Sequence, residues 1–247
     1  MFRKLLSSMG IGAATVDLQL ENALVSPGGS FRGQVVARGG STPQAVSGLT
    51  IALLTRVEVE TGNGEVVGKQ VLDSWKLPAS FTLQPQETKV VPVHCAIGAE
   101  TPLTELSCRD NRTRVWLQTG LEIDLGLDPG DEDFLRIVPT SAQAAFLSAM
   151  ELAGFQMMRA DVEKGYLQGR GFRSRSGCYQ ELEYRPVGAG RWSINEVEVS
   201  FVPETERTHV LLEIDRAFRR DGYLSLTLDH RALDARAIAR ELERLIR

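Results

Sequence analysis

The run Val46-Ser47-Gly48-Leu49-Thr50-Ile51-Ala52-Leu53-Leu54-Thr55-Arg56-Val57-Glu58-Val59-Glu60, then Gly62-Asn63-Gly64, then Val66 to Leu77, decides the fold class. Val57-Glu58-Val59-Glu60 alternates apolar with charged, the period of a half-buried strand. Ile51-Ala52-Leu53-Leu54 is a short apolar run of strand length. The Gly-Asn-Gly between the two runs supplies backbone freedom for a tight hairpin. The whole segment reads as a long β-hairpin.

The same grammar extends in both directions. Val16, Leu18 and Leu20 alternate with Asp17 and Gln19, and Pro27-Gly28-Gly29 marks a turn. Phe31, Gly33, Val35 and Ala37 alternate next, ended by Gly39-Gly40. Further strands are expected at Phe81 to Leu83, Lys89 to Cys95, Val115 to Ile123 and Phe134 to Val138. Many short strands with Gly/Pro turns and no helical period between them predict an antiparallel sandwich over residues 10–138.

A boundary falls near residue 139. Thr140 and Gln143 have the spacing of a capping box. Ala142, Ala145, Phe146, Ala149, Leu152 and Ala153 follow at helical spacing, and Gly154 is a natural stop. This predicts a short linker helix at about 141–153. Strands are then expected at Phe155 to Val162, Tyr166 to Phe172, Tyr179 to Arg185, Ile194 to Val202, His209 to Arg216 and Tyr223 to Leu228, with Val187-Gly188-Ala189-Gly190 as one of the turns. A closing helix is predicted at about 233–246. The expected fold class is mainly β, with two β-sandwich-like domains, 1–138 and 139–247, and two helices.

Of the 247 residues, 43% are hydrophobic and 24% charged, the balance of a folded globular chain. The net charge of −4 argues against a global electrostatic grip on nucleic acid. Cys95, Cys108 and Cys178 form no C-x-x-C motif and cannot all pair, as reduced thiols would be found. No apolar run nears the ~18 residues of a membrane span. The apolar stretch in Met1-Phe2-Arg3-Lys4-Leu5-Leu6 is too short for a signal peptide. It is expected to dock on its own sandwich, and a cytoplasmic protein is expected.

Several blocks resemble the bacterial sporulation-control protein family. They include Ile11-Gly12-Ala13-Ala14-Thr15-Val16-Asp17, Val25-Ser26-Pro27-Gly28-Gly29, Thr55-Arg56-Val57-Glu58-Val59-Glu60 and Glu100-Thr101-Pro102-Leu103. Val115 to Ile123, Leu127-Asp128-Pro129-Gly130-Asp131, Ala160-Asp161-Val162-Glu163-Lys164-Gly165 and Leu211-Leu212-Glu213-Ile214-Asp215-Arg216 extend the resemblance. Phe218 to Arg247 resembles the family less. The resemblance implies an arrestin-like fold and a regulatory role without catalysis.

Catalytic and metal motifs give little. His94, His209 and His230 show no ligand spacing, and no G-x-S-x-G elbow is present. Asp128-Pro129-Gly130-Asp131-Glu132-Asp133 lacks the pattern of a calcium loop and reads as a turn. Gly169-Arg170-Gly171-Phe172-Arg173-Ser174-Arg175-Ser176-Gly177 lacks the context of a phosphate loop and reads as an exposed, mobile hairpin loop. No catalytic residue, cofactor or metal is expected.

The candidate interaction residues are Glu181, Glu183 and Arg185, Glu196 and Glu198, and Glu213 and Asp215. Each set alternates with apolar residues, so each shares one face of its strand. If the three strands are neighbours, one sheet face is dense in carboxylate, with Arg185 on it and Arg216 pointing away. Such a face is either a solvated exterior or a docking surface for a basic partner or an Arg cluster. The expected role is a non-enzymatic regulator or scaffold acting through an unidentified protein partner. The alternative is a ligand-binding or hydrolytic protein using the groove between domains. Ala235, Ile238, Leu242 and Leu245 form an a/d-like stripe that would suit a homodimer or the chain's own core.

Overall fold

Alternation becomes strand nearly throughout the computed structural model, which describes residues 13–62, 64–78, 80–123, 130–188, 194–216 and 222–246. The first part holds β1 (Thr15–Leu20), β2 (Leu24–Val25), β3 (Ser30–Arg38), β4 (Gln44–Thr61), β5 (Gly64–Leu77), β6 (Phe81–Leu83), β7 (Thr88–Ala96) and β8 (Asp110–Asn111). It continues with β9 (Val115–Ile123), β10 (Gly130–Phe134) and β11 (Arg136–Ile137). After helix α1 (Ser141–Leu152) come β12 (Phe155–Lys164), β13 (Gln168–Gly169), β14 (Phe172–Arg173) and β15 (Cys178–Pro186). The chain then forms β16 (Ile194–Pro203), β17 (Arg207–Arg216), β18 (Gly222–Asp229) and helix α2 (Ala235–Ile246).

The β4–β5 hairpin forms as the sequence predicts. Thr61 pairs with Gly64, whose φ of +118° only glycine adopts without strain. β4 also pairs with β9 along its other edge, and β9 with β10. A second sheet, β1-β3-β7, packs across it. Phe31 and Trp75 meet edge to face between the sheets at 5.6 Å. Leu18, Ile51, Leu53, Leu83, Leu103, Leu117 and Ile137 fill the space between.

Two expected boundaries shift. The strand expected from Phe134 to Val138 is two strands, because the chain changes sheet at Leu135. Phe134 ends β10, while Arg136 and Ile137 pair in parallel with β2. The strand expected from Tyr166 to Phe172 is only the small hairpin β13–β14, turned at Gly171.

Thr140 and Gln143 form the expected capping box, and Gly154, at φ +83°, stops the chain beyond α1. The helix expected as a linker packs one face into a second cluster. There Phe146, Ala149 and Met150 meet Leu182, Tyr184, Val197, Val199, Leu212 and Ile214 of the sheet, and Ile238, Leu242 and Ile246 of α2. The stripe of α2 is thus covered by its own chain. Asp234 caps α2 by accepting from the Arg236 and Ala237 N–H groups, so the helix begins two residues later than expected.

The main sheet does not stop at the boundary. It runs β10-β9-β4-β12-β15-β16-β17-β18, and the β4–β12 step is one parallel pair, Glu58 opposite Glu163. Side chains reinforce the join. Gln180 accepts from the Leu103 N–H and donates to the Leu103 carbonyl and the Thr113 hydroxyl. Glu100 accepts from the Arg175 and Ser176 N–H groups.

All three cysteines are free thiols. Among the described residues no helix is long and apolar enough to cross a membrane. The segment Phe2 to Leu6, the Asp128-Pro129 part of the acidic turn, and Ala189-Gly190 lie outside the described residues.

Trp116 is only 6% exposed, yet it lies on the outer side of β9, away from the inter-sheet core. Phe134 at 6.3 Å and the Lys69 ammonium at 5.2 Å from the ring centroid cover it. Trp116→Ala is expected to cost about 2–3 kcal/mol, below the ~3–5 kcal/mol of a full core truncation. Chemical denaturation of both proteins checks this, and an unchanged midpoint contradicts it.

Candidate functional site

Strand alternation in the second part of the chain separates two faces. Leu182, Tyr184, Val197, Val199, Leu212 and Ile214 point to the helices and are fully buried. Their neighbours point the other way, and register brings them together. Glu183 pairs with Glu198, Glu198 with Glu213, and Glu196 with Asp215. All seven residues singled out in the sequence therefore lie on one face of adjacent strands. Arg216 points away and donates to the Ile246 carbonyl of α2 at 2.8 Å.

Directly opposed side chains have Cβ atoms ~5 Å apart, so the ladder Glu183–Glu198–Glu213 sets like charges side by side. Few cations answer them. Arg185 donates through Nε and Nη2 to Glu196 Oε2 at 3.1 and 3.0 Å. Tyr223 donates its hydroxyl to Glu213 at 2.7 Å.

The principal cation is one the sequence reading missed. Arg159, opposite Glu183 on β12, places Nε 2.7 Å from Asp161 Oδ2 and Nη1 3.3 Å from Glu183 Oε1. Its Nη2 donates to Glu58 Oε2 at 2.7 Å. Glu58 is 2% exposed and also meets Arg56 at 3.2 Å and Arg112 at 3.6 Å. The missed signal is the alternation Arg159-x-Asp161-x-Glu163, which puts all three on the carboxylate side once β12 is known to adjoin β15.

Burial and crowding raise the carboxyl pKa values. Glu181 is pushed to about 8, first by burial and then by Glu198 and Asp161. Glu198 is pushed to about 7 by burial, Glu213 and Glu196. Burial raises Asp161 to about 6 against the pull of Arg159. Burial also raises Glu183, again opposed by Arg159. Asp161, Glu163 and Glu181 each bring a carboxylate oxygen to a point where all three lie within 4.8 Å of one another.

A second feature is an open groove of about 1360 Å³ between Gly98–Glu100 on one side and Phe172, Arg175, Glu204 and Arg231 on the other. The loop expected to be exposed and mobile is half tucked in along this groove. Phe172 and Ser174 are buried, the Ser174 hydroxyl accepts from the Leu167 N–H, and Glu100 holds residues 175–176. Every second side chain turns inward, which anchors the loop. In the groove wall, Thr227 Oγ1 lies 3.1 Å from Nδ1 of the buried His209, and Glu204 lies 3.5 Å from its Nε2. Phe172 stacks on that imidazole at 4.4 Å. Arg207 pairs with Glu204 and Arg231 with Glu206.

Fold and face together define a β-rich protein of arrestin-like architecture whose most unusual chemistry is a half-buried carboxylate ladder. The chain belongs to the SpoOM protein family, whose model matches residues 2–218. The sporulation-control protein spo0M of Bacillus subtilis (strain 168) is 31% identical over 219 residues, spanning 88% of this chain and 81% of that protein. The crystal structure of Spo0M from Bacillus subtilis matches with a TM-score of 0.84 at 25% identity, covering 96% of this chain and 98% of that one. The family match ends where the resemblance read from the sequence fades, while the fold match continues beyond it. The relative is named for a regulatory role.

Two measurements follow from the face. Raised carboxyl pKa values mean that the folded state holds protons the unfolded chain has released. Stability is therefore full below the ordinary carboxylate range and falls as pH rises toward about 8, through the values of Glu198 and Glu181. Thermal melting in chelator-treated buffer should show this fall, and Glu198→Gln should flatten it. Arg159→Ala should cost about 3 kcal/mol or more, because it strands buried carboxylates without a cation. A denaturation midpoint equal to the parent's would contradict that role.

Proposed function

We propose that this protein is a non-enzymatic regulator or scaffold of the cytoplasm that works by binding another protein, with the carboxylate face as its docking surface for a basic segment. The observation that carries the reading is the ladder Glu183–Glu198–Glu213 across three adjacent strands. A face with such excess acid has a favourable interaction waiting for any Lys- or Arg-rich partner. The family's regulatory name supports the same class of role. Two separate hydrophobic clusters, one from residues before 138 and one mainly from residues after 141, support a division into domains 1–138 and 139–247. Any homodimer would use a surface other than the stripe of α2, which its own core occupies.

The hydrolytic alternative has one observation behind it, the alignment of Thr227, His209 and Glu204. Phe172 covers the imidazole face, and the three side chains tie β17, β18 and the turn before β17 together. That arrangement favours a structural role for the trio over a reacting centre.

The test is the double variant Glu196→Lys with Glu198→Lys. Lys at 198 would face Glu183 and Glu213, while Lys at 196 gives up the exposed pair with Arg185, worth ~0–1 kcal/mol, so stability should stay close to the parent's. Capture of partners from the native cell, read by mass spectrometry, should lose its salt-sensitive members. An identical partner set for parent and variant would overturn the docking reading.

A further inference from the structure

We infer that the outer edge of β18 pairs antiparallel with the same edge of a second copy, giving a two-fold dimer whose main sheet runs through both chains. β18 ends the path of that sheet, and among the described residues β17 is the one strand paired with it. The β17–β18 register runs from Arg207 opposite Asp229 to Ile214 opposite Gly222 with no shift, so the edge is regular. Its stretch Tyr223-Leu224-Ser225-Leu226-Thr227-Leu228 holds no charge, proline or glycine.

An unguarded edge is a template for another strand, and proteins blunt such edges with charges, proline, bulges or a covering segment. The other long edges described in this chain each carry such a guard. β5 holds Lys69 and Lys76 and a break in register between Leu53 and Leu54 of its partner strand. β7 holds Lys89 and Pro92. β10 is acidic at Asp131, Glu132 and Asp133. On β1 the Leu18 N–H donates to Asp131 of β10 at 2.9 Å. β18 has none of these within its span, so the same chain that guards four edges leaves this one ready to pair.

The occupant that fits is β18 itself. A two-fold axis perpendicular to the sheet sets directly opposed residues on the same face. Registers centred on Ser225 or Leu226 overlap the strand most fully. Either brings Leu224, Leu226 and Leu228 onto their own copies on the helix side, where Leu226 and Leu228 are buried in the second cluster and Leu224 packs half-buried against it. The cluster then continues from one chain into the other. Charge permits the match: with Leu226 at the centre, Asp229 falls opposite Tyr223, and no like charges are opposed. β10 set against its own copy would oppose acid to acid. The same symmetry keeps both carboxylate faces on one side of the joined sheet.

This inference goes beyond the docking reading and does not depend on it, because it concerns the isolated chain and a different strand. The test is sedimentation equilibrium of the full-length protein from about 1 to about 500 µM. A single strand pair makes a small interface, below the ~1,200 Å² of stable complexes, so a reversible dimer half-formed at tens of micromolar is expected. Ser225 is exposed on the edge. Ser225→Lys and Ser225→Glu should each weaken the dimer about tenfold or more, since both registers set the two charges opposite or diagonal to each other. An equimolar mixture of the two variants should recover association to within about threefold of the parent's, which a misfolded variant would not do. Val90→Lys, at an exposed position of β7, should change it less than about twofold. A monomer throughout the range overturns the dimer. Association that Ser225→Lys leaves intact, or that the mixture does not recover, overturns the β18 edge as its site, and open-ended assembly overturns the closed two-fold pair.

Discussion

A β-sheet gives its side chains no choice of neighbours. Once β15, β16 and β17 pair in their observed register, Glu183, Glu198 and Glu213 stand in a row, and no rotamer can scatter them far. The register itself is fixed from the other side of the sheet. Leu182, Val197, Val199, Leu212 and Ile214 must face the helices, and a slip by one residue would put acid in that core. The apolar face thus enforces the crowding of the charged one. Protons, arginines or bound cations must then relieve it.

The relief within the chain is concentrated in Arg159. Guanidinium suits this position because its planar fork can donate to several carboxylates at once, which an ammonium group does less well. It serves Asp161 and Glu183 on the ladder side and Glu58 on β4. Burial disfavours its charge, but Asp161, Glu183 and Glu58 outweigh that and hold its pKa above the ordinary arginine value. Glu58 in turn draws on Arg56 and Arg112. The charged face and the join between the two parts of the chain therefore share one ion network.

What the sequence made legible follows physical range. Local rules were readable: the Gly-Asn-Gly hairpin, the Thr140–Gln143 cap and the Gly154 stop each involve residues a few positions apart. The candidate face was readable residue by residue, because alternation alone assigns Glu181, Glu196 and Glu213 to sides of their strands. Its completion was not. Arg159 and Glu58 are far apart in sequence, and nothing local shows that β12 lies between β4 and β15. The Arg-rich loop is the expected hairpin with its arginines exposed, but the anchoring of its inner side is not legible locally, since Glu100, which holds it, comes from the first part of the chain. The acidic turn drew attention because its charges are consecutive. Asp161, Glu163 and Glu181 did not, because two strands must be aligned before they converge.

One charge divided among three carboxylates also links events on the face to the join. Arg159 holds Glu58 at 2.7 Å while sharing its other edges with Asp161 and Glu183. Its attraction to each partner depends on how much negative charge the others carry. If Asp161 and Glu183 are neutralised, by protons, by a cation or by a basic side chain, less of the field at Arg159 comes from the ladder. Its position is then governed more by Glu58, and the β4–β12 step is held by a less divided ion pair. β12 meets the first part of the chain through the single β4 pair, Glu58 with Glu163, and through two pairs with β8, with the ion network lying over the same step. One guanidinium thus serves both the open sheet face and the join between the two parts of the chain, beside the β8–β12 pairs Arg159–Asp110 and Ala160–Asn111.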